Sequence, residues 1–298
     1  MKFSIQYALN YSIVLDIKVV SKRFTVRILQ NNDLTFIMDQ LNILMVGCGK
    51  MGGALLSNWL ASGDVFTVTD PALEETPPGT VLVRDTGDLA GRKFDVLIVS
   101  IKPQIIDKVI PSYATMLTDN GYVLSIAAGC SIERIKAVTN DAPVIRVMPN
   151  LPAAVGQGVS AIYASADTMG THLSHTQMLM DLTGTHITVD DEDQIDRFTG
   201  IAGSGPGYVF EFARAFVEAA MDLGFDETSA RSMVLGTMAG ATEMARSADA
   251  DLASLRNSVT SKGGTTAAGL DAFNGDGTIS ARLAATVEAA YNRALELK

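Results

Sequence analysis

The sequence predicts an α/β chain, with a parallel-sheet domain followed by an all-helical one, and three observations carry that prediction. First, an apolar run of strand length at residues 41–46 (LNILMV) ends in glycines, and a helix-forming segment at 54–60 follows. Second, further strand-length runs are continuously apolar rather than alternating, which marks burial on both faces and hence a parallel sheet between helices. Third, no strand pattern remains beyond the acidic patch at 190–193, only helical stretches rich in Ala, Met, Gly and Thr.

The elements follow in order. The glycines after the first strand, Gly47, Gly49 and Gly52, have GxGxxG spacing, with Lys50 and Met51 between the second and third. This strand–turn–helix opens a Rossmann-type dinucleotide-binding unit. Gly47 serves the tight turn, Gly49 keeps side-chain atoms away from a pyrophosphate, and Gly52 lets the helix lie close to the strand. The helix start then offers free N–H groups to the phosphates. Strands are expected at 65–70, 81–83, 94–100, 122–126 and 144–148, with helices at 104–115 and 131–138 between them, and then at 158–163 and 186–189. The domain therefore spans 38–192, and 193–298 is helical. Residues 208–223 and 228–246 carry few charges, so these helices should be buried, and an all-helical domain that interlocks with a partner's copy is the economical reading. The alternative is a helical half packed only on its own sheet domain.

The first 37 residues differ in character, with Lys2, Lys18, Lys22, Arg23 and Arg27 against only Asp16 and Asp33. They lack the apolar core and small-residue cleavage site of a signal peptide. Met38 stands three residues before the first strand of the sheet domain. Residues 1–37 are therefore expected to be a disordered or non-native extension, with Met38 the functional start; the rival expectation is a β-hairpin through 13–15 and 24–28.

Composition excludes several classes. The 298 residues are 47% hydrophobic and 19% charged, yet no run approaches the ~18 residues a membrane helix needs. So apolar a chain suggests burial beyond one monomer, hence a homo-oligomer. A net charge of −10 argues against nucleic acid or an anionic membrane as partner. Two cysteines, Cys48 and Cys130, make neither a disulfide framework nor a metal site, so the expectation is a cytoplasmic protein without metal.

Four further segments resemble site material. Ser100, Ile101, Lys102 and Pro103 follow a major strand, and ligands of open α/β sheets bind outside strand carboxyl ends. Met148, Pro149 and Asn150 hold the equivalent place after a later strand. Gly203-Ser204-Gly205-Pro206 opens one helix, and Ser261, Gly263, Gly264, Thr265 and Thr266 lead into another; such polar glycine-rich starts can hold a carboxylate. As alternatives, the glycines and prolines could be simple caps and turns. His172, His175 and His186 lie in one stretch remote from these segments and read as surface or packing residues. With no Ser–His pair, carboxylate dyad or metal cluster, alcohol oxidation lacks its base. An imine can be protonated from solution, so the inventory favours reduction of a C=N bond over that of a ketone.

Taken together, GCGKMGGA, SIKPQ, SIAAG, VIRVMPNLPA, GSGPGYVF and VTSKGGTTAAG resemble the pyrroline-5-carboxylate reductase family, in order and at similar spacing over residues 41–290. The resemblance implies NAD(P)H-dependent reduction of 1-pyrroline-5-carboxylate to L-proline, the last step of proline biosynthesis. It also implies helical domains interlocked into dimers, often assembled into decamers. It puts the substrate carboxylate on Gly263, Gly264, Thr265 and Thr266, with Thr266 as the catalytic hydroxyl beside the imine nitrogen. The nicotinamide would lie near 100–103 and 148–150. Lys262, Leu151, Ala202 and Gly207 depart from the family pattern at pocket positions.

Asp70 ends the second strand 18 residues after Gly52, near the ~20 expected of the carboxylate that binds a ribose 2′-hydroxyl. It would repel a 2′-phosphate, and no arginine lies within six residues, so NADH is the expected cofactor; the alternative is a capping role before Pro71. Two other functions remain open. A β-hydroxyacid dehydrogenase shares the glycine opening but needs a lysine base, and none occurs between Lys136 and Lys262. A non-catalytic NAD(H)-binding regulator would need no substrate site.

Overall fold

The computed structural model describes the backbone of residues 2–7, 11–20, 23–28 and 35–38, and residues 40–297 with their side chains. The chain divides into two compact units that meet in sequence at Ile195/Asp196, against the 192/193 boundary expected.

At the start of the first unit, β1 (Lys2–Tyr7), β2 (Tyr11–Val20), β3 (Arg23–Ile28) and β4 (Thr35–Met38) form an antiparallel sheet in the order β1-β2-β3-β4. Strands therefore stand where a disordered extension was expected. β2 and β3 pair with Leu15 beside Ile28 and Ile17 beside Val26, so the rival hairpin is met only in part, because Ile13 and Val14 pair with β1 instead.

The second sheet has eight strands. The chain runs through β5 (Asn42–Val46), α1 (Lys50–Trp59), β6 (Val65–Thr69), β7 (Val81–Val83) and β8 (Phe94–Val99). It continues through α2 (Ile106–Val109), α3 (Pro111–Ala114), β9 (Leu117–Ser125), α4 (Ile132–Val138) and β10 (Val144–Met148). β11 (Gly158–Ala164), α5 (Gly170–Asp181) and β12 (Gly184–Thr188) complete it. The spatial order is β12-β11-β10-β9-β8-β5-β6-β7. β7 to β10 are parallel in the doubly wound arrangement, while β11 turns antiparallel to β10. The order reverses at β5, where β6 pairs on one side and β8 on the other, and this is where a crevice opens.

β5 shows why the sheet is buried on both faces. Ile43 and Met45 pack with Trp59 and Phe66 in one cluster, and Leu44 and Val46 with Leu97 and Ile135 in the other. The expected helix at 104–115 is instead a turn followed by α2 and α3, because Pro111 brings no N–H to a continuous helix. α5 had no expectation attached. Its buried face carries His172, His175 and Thr176 beside Leu179 and Met180, so polar residues hide the usual apolar period.

The second unit contains α7 (Gly205–Asp222), α8 (Glu227–Ser247), α9 (Leu252–Ser258), α10 (Thr265–Asn274) and α11 (Thr278–Glu296), after α6 (Glu192–Phe198), which carries the boundary, and a π-helical turn at Thr199–Gly203. Asp226 and Asp251 cap α8 and α9 by accepting from Ser229 N–H and Ser254 N–H. The helices expected to be buried are largely exposed within one chain. Ala213 is the buried residue of α7, and Ala230 and Val234 those of α8.

Candidate active site

One candidate site lies in the sheet unit, at the carboxyl ends of β5, β6 and β8. Gly47 has φ +85° and its N–H donates to Thr69 O at 2.8 Å. A Cβ there would stand 2.5 Å from Ile101 Cγ2 and 2.6 Å from Ser100 O, so this position needs glycine on both counts. Gly49 is the opposite case, since a Cβ would find nothing within 4 Å. It is the N-cap of α1, without a side-chain cap, so the helix N–H groups face open space. An uncapped helix start with room in front of it suits a phosphate.

The turn borders a cleft of about 660 Å³. Of the sequence-predicted cofactor residues, Gly47, Gly49, Asp70, Ser100, Ile101 and Lys102 line it. Lys50, Met51, Gly52, Pro103 and Asn150 lie outside the lining. Lys50 and Met51 begin α1, and Gly52 packs behind the turn against Ser100 and Met45. Asn150 is buried, and its Oδ1 accepts the Val159 N–H at 2.9 Å, which joins the loop after β10 to β11.

Asp70 is fixed by the backbone. Its Oδ2 accepts the Cys48 N–H at 2.9 Å, and its Oδ1 accepts the Ala72 N–H at 3.0 Å. The carboxylate thus ties the glycine turn to the end of β6. Burial, with the Asp70 charge adding to it, raises the Cys48 thiol above its ordinary range, so this cysteine is inert. The sequence reading missed Arg84 and Lys108, which line the cleft with Lys102. Three cations to one carboxylate make this a locally positive site in an acidic chain. A hydrophobic pattern contains no signal for them, because the fold alone brings them in.

A separate candidate site lies in the helical unit. Gly263 has φ +71°, and Gly264 is the N-cap of α10 without a side-chain cap. Ser261, Thr265 and Thr266 are exposed around that start. Thr266 also lines an apolar groove of about 650 Å³ with Phe212, Phe216, Leu270, Phe273 and Ile279. Ser204, half-buried at the start of α7, lies outside this groove.

His172 and His175 are buried packing residues in a network the sequence did not reveal, while His186 meets Asp181 Oδ1 at 2.8 Å nearer the surface. The Tyr122 hydroxyl meets His175 Nδ1 at 2.7 Å and Thr176 Oγ1 at 3.1 Å, and His175 Nε2 meets Asp64 Oδ2 at 3.1 Å. Burial pushes the Asp64 carboxyl up, but His175, the Ser62 hydroxyl and the Leu41 N–H together hold it below its ordinary range. His172 stacks on Tyr122 with ring centroids 4.7 Å apart.

Comparison with known proteins matches the two parts of the chain. A family model described as pyrroline-5-carboxylate reductase dimerisation matches residues 192–297, and one described as NADP oxidoreductase, coenzyme F420-dependent, matches residues 42–129. The pyrroline-5-carboxylate reductase of Pseudomonas aeruginosa is 32% identical over 268 residues, which is 87% of this chain and 98% of that protein. The Arabidopsis thaliana enzyme of the same name is 30% identical over 87% of this chain and 96% of that one. A solved pyrroline-5-carboxylate reductase from Coxiella burnetii has a TM-score of 0.80 and 28% identity, covering 87% of this chain and 99% of the other. A Plasmodium falciparum pyrroline carboxylate reductase with NADP bound has the same fold, with a TM-score of 0.77 at 23% identity over 87% and 99%.

Proposed function

The chain belongs to the pyrroline-5-carboxylate reductase family, and from that premise we propose how its own residues reduce 1-pyrroline-5-carboxylate to L-proline. It is an NAD(P)H-dependent oxidoreductase of proline biosynthesis that self-associates through its helical unit. The observation that carries the assignment of roles is the start of α10. Two exposed hydroxyls, Thr265 and Thr266, stand on an uncapped helix N-terminus, and that is what a small carboxylate requires.

The nicotinamide, when bound, supplies the hydride. Gly47 and Gly49 would hold the pyrophosphate against the α1 start, with Lys50, Met51 and Gly52 shaping that first turn. Asp70 would hold the adenosine ribose, and Ser100, Ile101, Lys102 and Pro103 would flank the nicotinamide end, with buried Asn150 bracing the loop after β10 rather than touching the cofactor. The α10 N–H groups and the hydroxyls of Ser261 and Thr265, with Ser204 from the start of α7, bind the substrate carboxylate. Gly263 and Gly264 let the backbone approach it. Thr266 orients the imine nitrogen and donates a hydrogen bond as the C=N bond is reduced. Lys262 adds a cation beside an anionic substrate.

Asp70 favours NADH, since a carboxylate accepts from a 2′-hydroxyl and repels a 2′-phosphate. The assembly is a dimer, with decamers as its next level, and the two buried free thiols suit the cytoplasm. Expression in a proline auxotroph tests the activity, and growth without proline is the expected result. A folded protein that fails to rescue would overturn it. A higher kcat/KM with NADPH than with NADH would reverse the cofactor assignment. A chain starting at Met38 is expected to retain full activity, and loss of turnover would give residues 1–37 a working role.

A further inference from the structure

Asp70 has no arginine close to it in sequence, but the sheet supplies one from the neighbouring strand. β6 and β7 run parallel with Thr69 beside Val83. The residues that directly follow the two strands are Asp70 and Arg84, and both line the same cleft. We propose that Arg84 is a second specificity-determining residue of the cofactor site, reading a phosphate on the adenosine ribose, so that the enzyme accepts NADPH alongside NADH. This rests on the cleft being the adenosine end of the nicotinamide cofactor site.

The anchoring of the two side chains supports the assignment. Arg84 Nη2 donates to Leu73 O at 3.1 Å and to Glu74 O at 2.7 Å, in the loop that follows Asp70. Its Nε and Nη1 donate to no other group among the described residues. The guanidinium is thus held by one nitrogen, with the rest of its donor fork available at the cleft. Asp70 is held just as firmly by the N–H groups of Cys48 and Ala72. The two opposite charges share a cleft, yet no ion pair joins them among the described residues. Each is therefore open to a ligand rather than neutralised by the other.

A ribose 2′-hydroxyl satisfies the carboxylate alone. A 2′-phosphate is repelled by the carboxylate and bound by the guanidinium, whose planar fork matches phosphate oxygens. Lys102 and Lys108 on the same cleft add to the positive field. The preference between the two cofactors is then a balance between Asp70 and Arg84, and removing Arg84 should sharpen the preference for NADH without abolishing turnover.

Calorimetric titration of the full-length protein with 2′,5′-ADP and with 5′-ADP separates these contributions without any catalysis. Arg84→Gln is expected to weaken 2′,5′-ADP by about tenfold or more, the scale of one charge-assisted contact, while 5′-ADP changes by less than about threefold. Arg84→Lys keeps a cation without the fork and should fall between wild type and Arg84→Gln for 2′,5′-ADP. In turnover, kcat/KM for NADPH should fall with the 2′,5′-ADP affinity while that for NADH holds. Equal weakening of both nucleotides would show that Arg84 only braces the loop at Leu73 and Glu74, and would overturn the proposal. Unchanged 2′,5′-ADP binding in both variants would overturn it too. A wild-type chain that binds neither nucleotide would remove the dinucleotide site itself and this role with it, whereas failure to reduce 1-pyrroline-5-carboxylate with nucleotide binding intact would leave the Arg84 result standing.

Discussion

The two units of this chain bury their apolar residues by opposite means. In the sheet unit Ile43, Leu44, Met45, Trp59, Phe66, Val96 and Ile98 are wholly buried by the chain itself. In the helical unit Phe210, Phe212, Phe216, Leu223, Met244 and Phe273 are exposed, Phe210 by 64% and Leu223 by 82%. At about 25 cal/mol per Å² of apolar surface, a helical unit with so few buried side chains gains little by folding alone. An apolar surface on this scale marks an interaction site, and the match to a dimerisation family over residues 192–297 assigns it to a second copy. The sheet unit completes its own core, and the helical unit is completed by its partner.

The strongest test of that contrast is Phe216→Asp. A carboxylate buried without a partner at an interface costs several kcal/mol, so the variant should sediment as a monomer and lose activity. A dimer of wild-type stability would end the contrast. Thr266→Ala, at the rim of the same groove, sharpens it by separating chemistry from cofactor binding. We expect kcat to fall by about 100-fold, in the range of a lost general acid, with the Kd for NADH unchanged by fluorescence titration. Equal turnover would remove Thr266 from the mechanism. Gly47→Ala belongs to the sheet unit, so it should leave the dimer intact. The left-handed backbone costs a non-glycine residue about 1–2 kcal/mol, and the contact with Ile101 and Ser100 adds to it. A lower melting temperature with weaker NADH binding is the expected result, and unchanged NADH affinity would argue against the turn as the phosphate cradle.

The smallest effect concerns pH. All three histidines belong to the sheet unit. Burial lowers the pKa of His172, with the His175 charge lowering it further against the Asn120 carbonyl, which raises it. Because the folded form resists the proton, this contribution is complete above the unfolded value near 6.5 and is lost as pH falls through the lower folded value. The helical unit holds depressed carboxyls at Asp226, Asp251 and Asp276, whose contributions are lost only below about 3.8, the ordinary carboxylate value. Hydrogen exchange between pH 7.5 and 5.5 should therefore show loosening around α5 and β9 and none in α7 or α8. An equal response in both units would remove His172 as the cause.

Legibility in the sequence followed the range of the signals. The first strand, its glycine turn and the following helix were readable because the turn geometry is decided within about ten residues. β10 and the start of α10 were equally local. The helix at 104–115 failed at Pro111, and α5 was hidden because its buried face is built from histidines and a threonine. Asn150 has the position of a site residue, but its side-chain oxygen is spent on Val159.

By itself the sequence determined that a glycine turn meets a helix start at 47–52 and that a second polar helix start lies at 263–266. Those depend on backbone conformations and residue types that neighbours in the chain dictate. Only the tertiary structure decided that Asp70 latches the glycine turn through Cys48, and that Arg84 joins it in the cleft from fourteen residues away. Sheet register sets both, because hydrogen bonds between strands bring together residues whose separation along the chain carries no periodic signal.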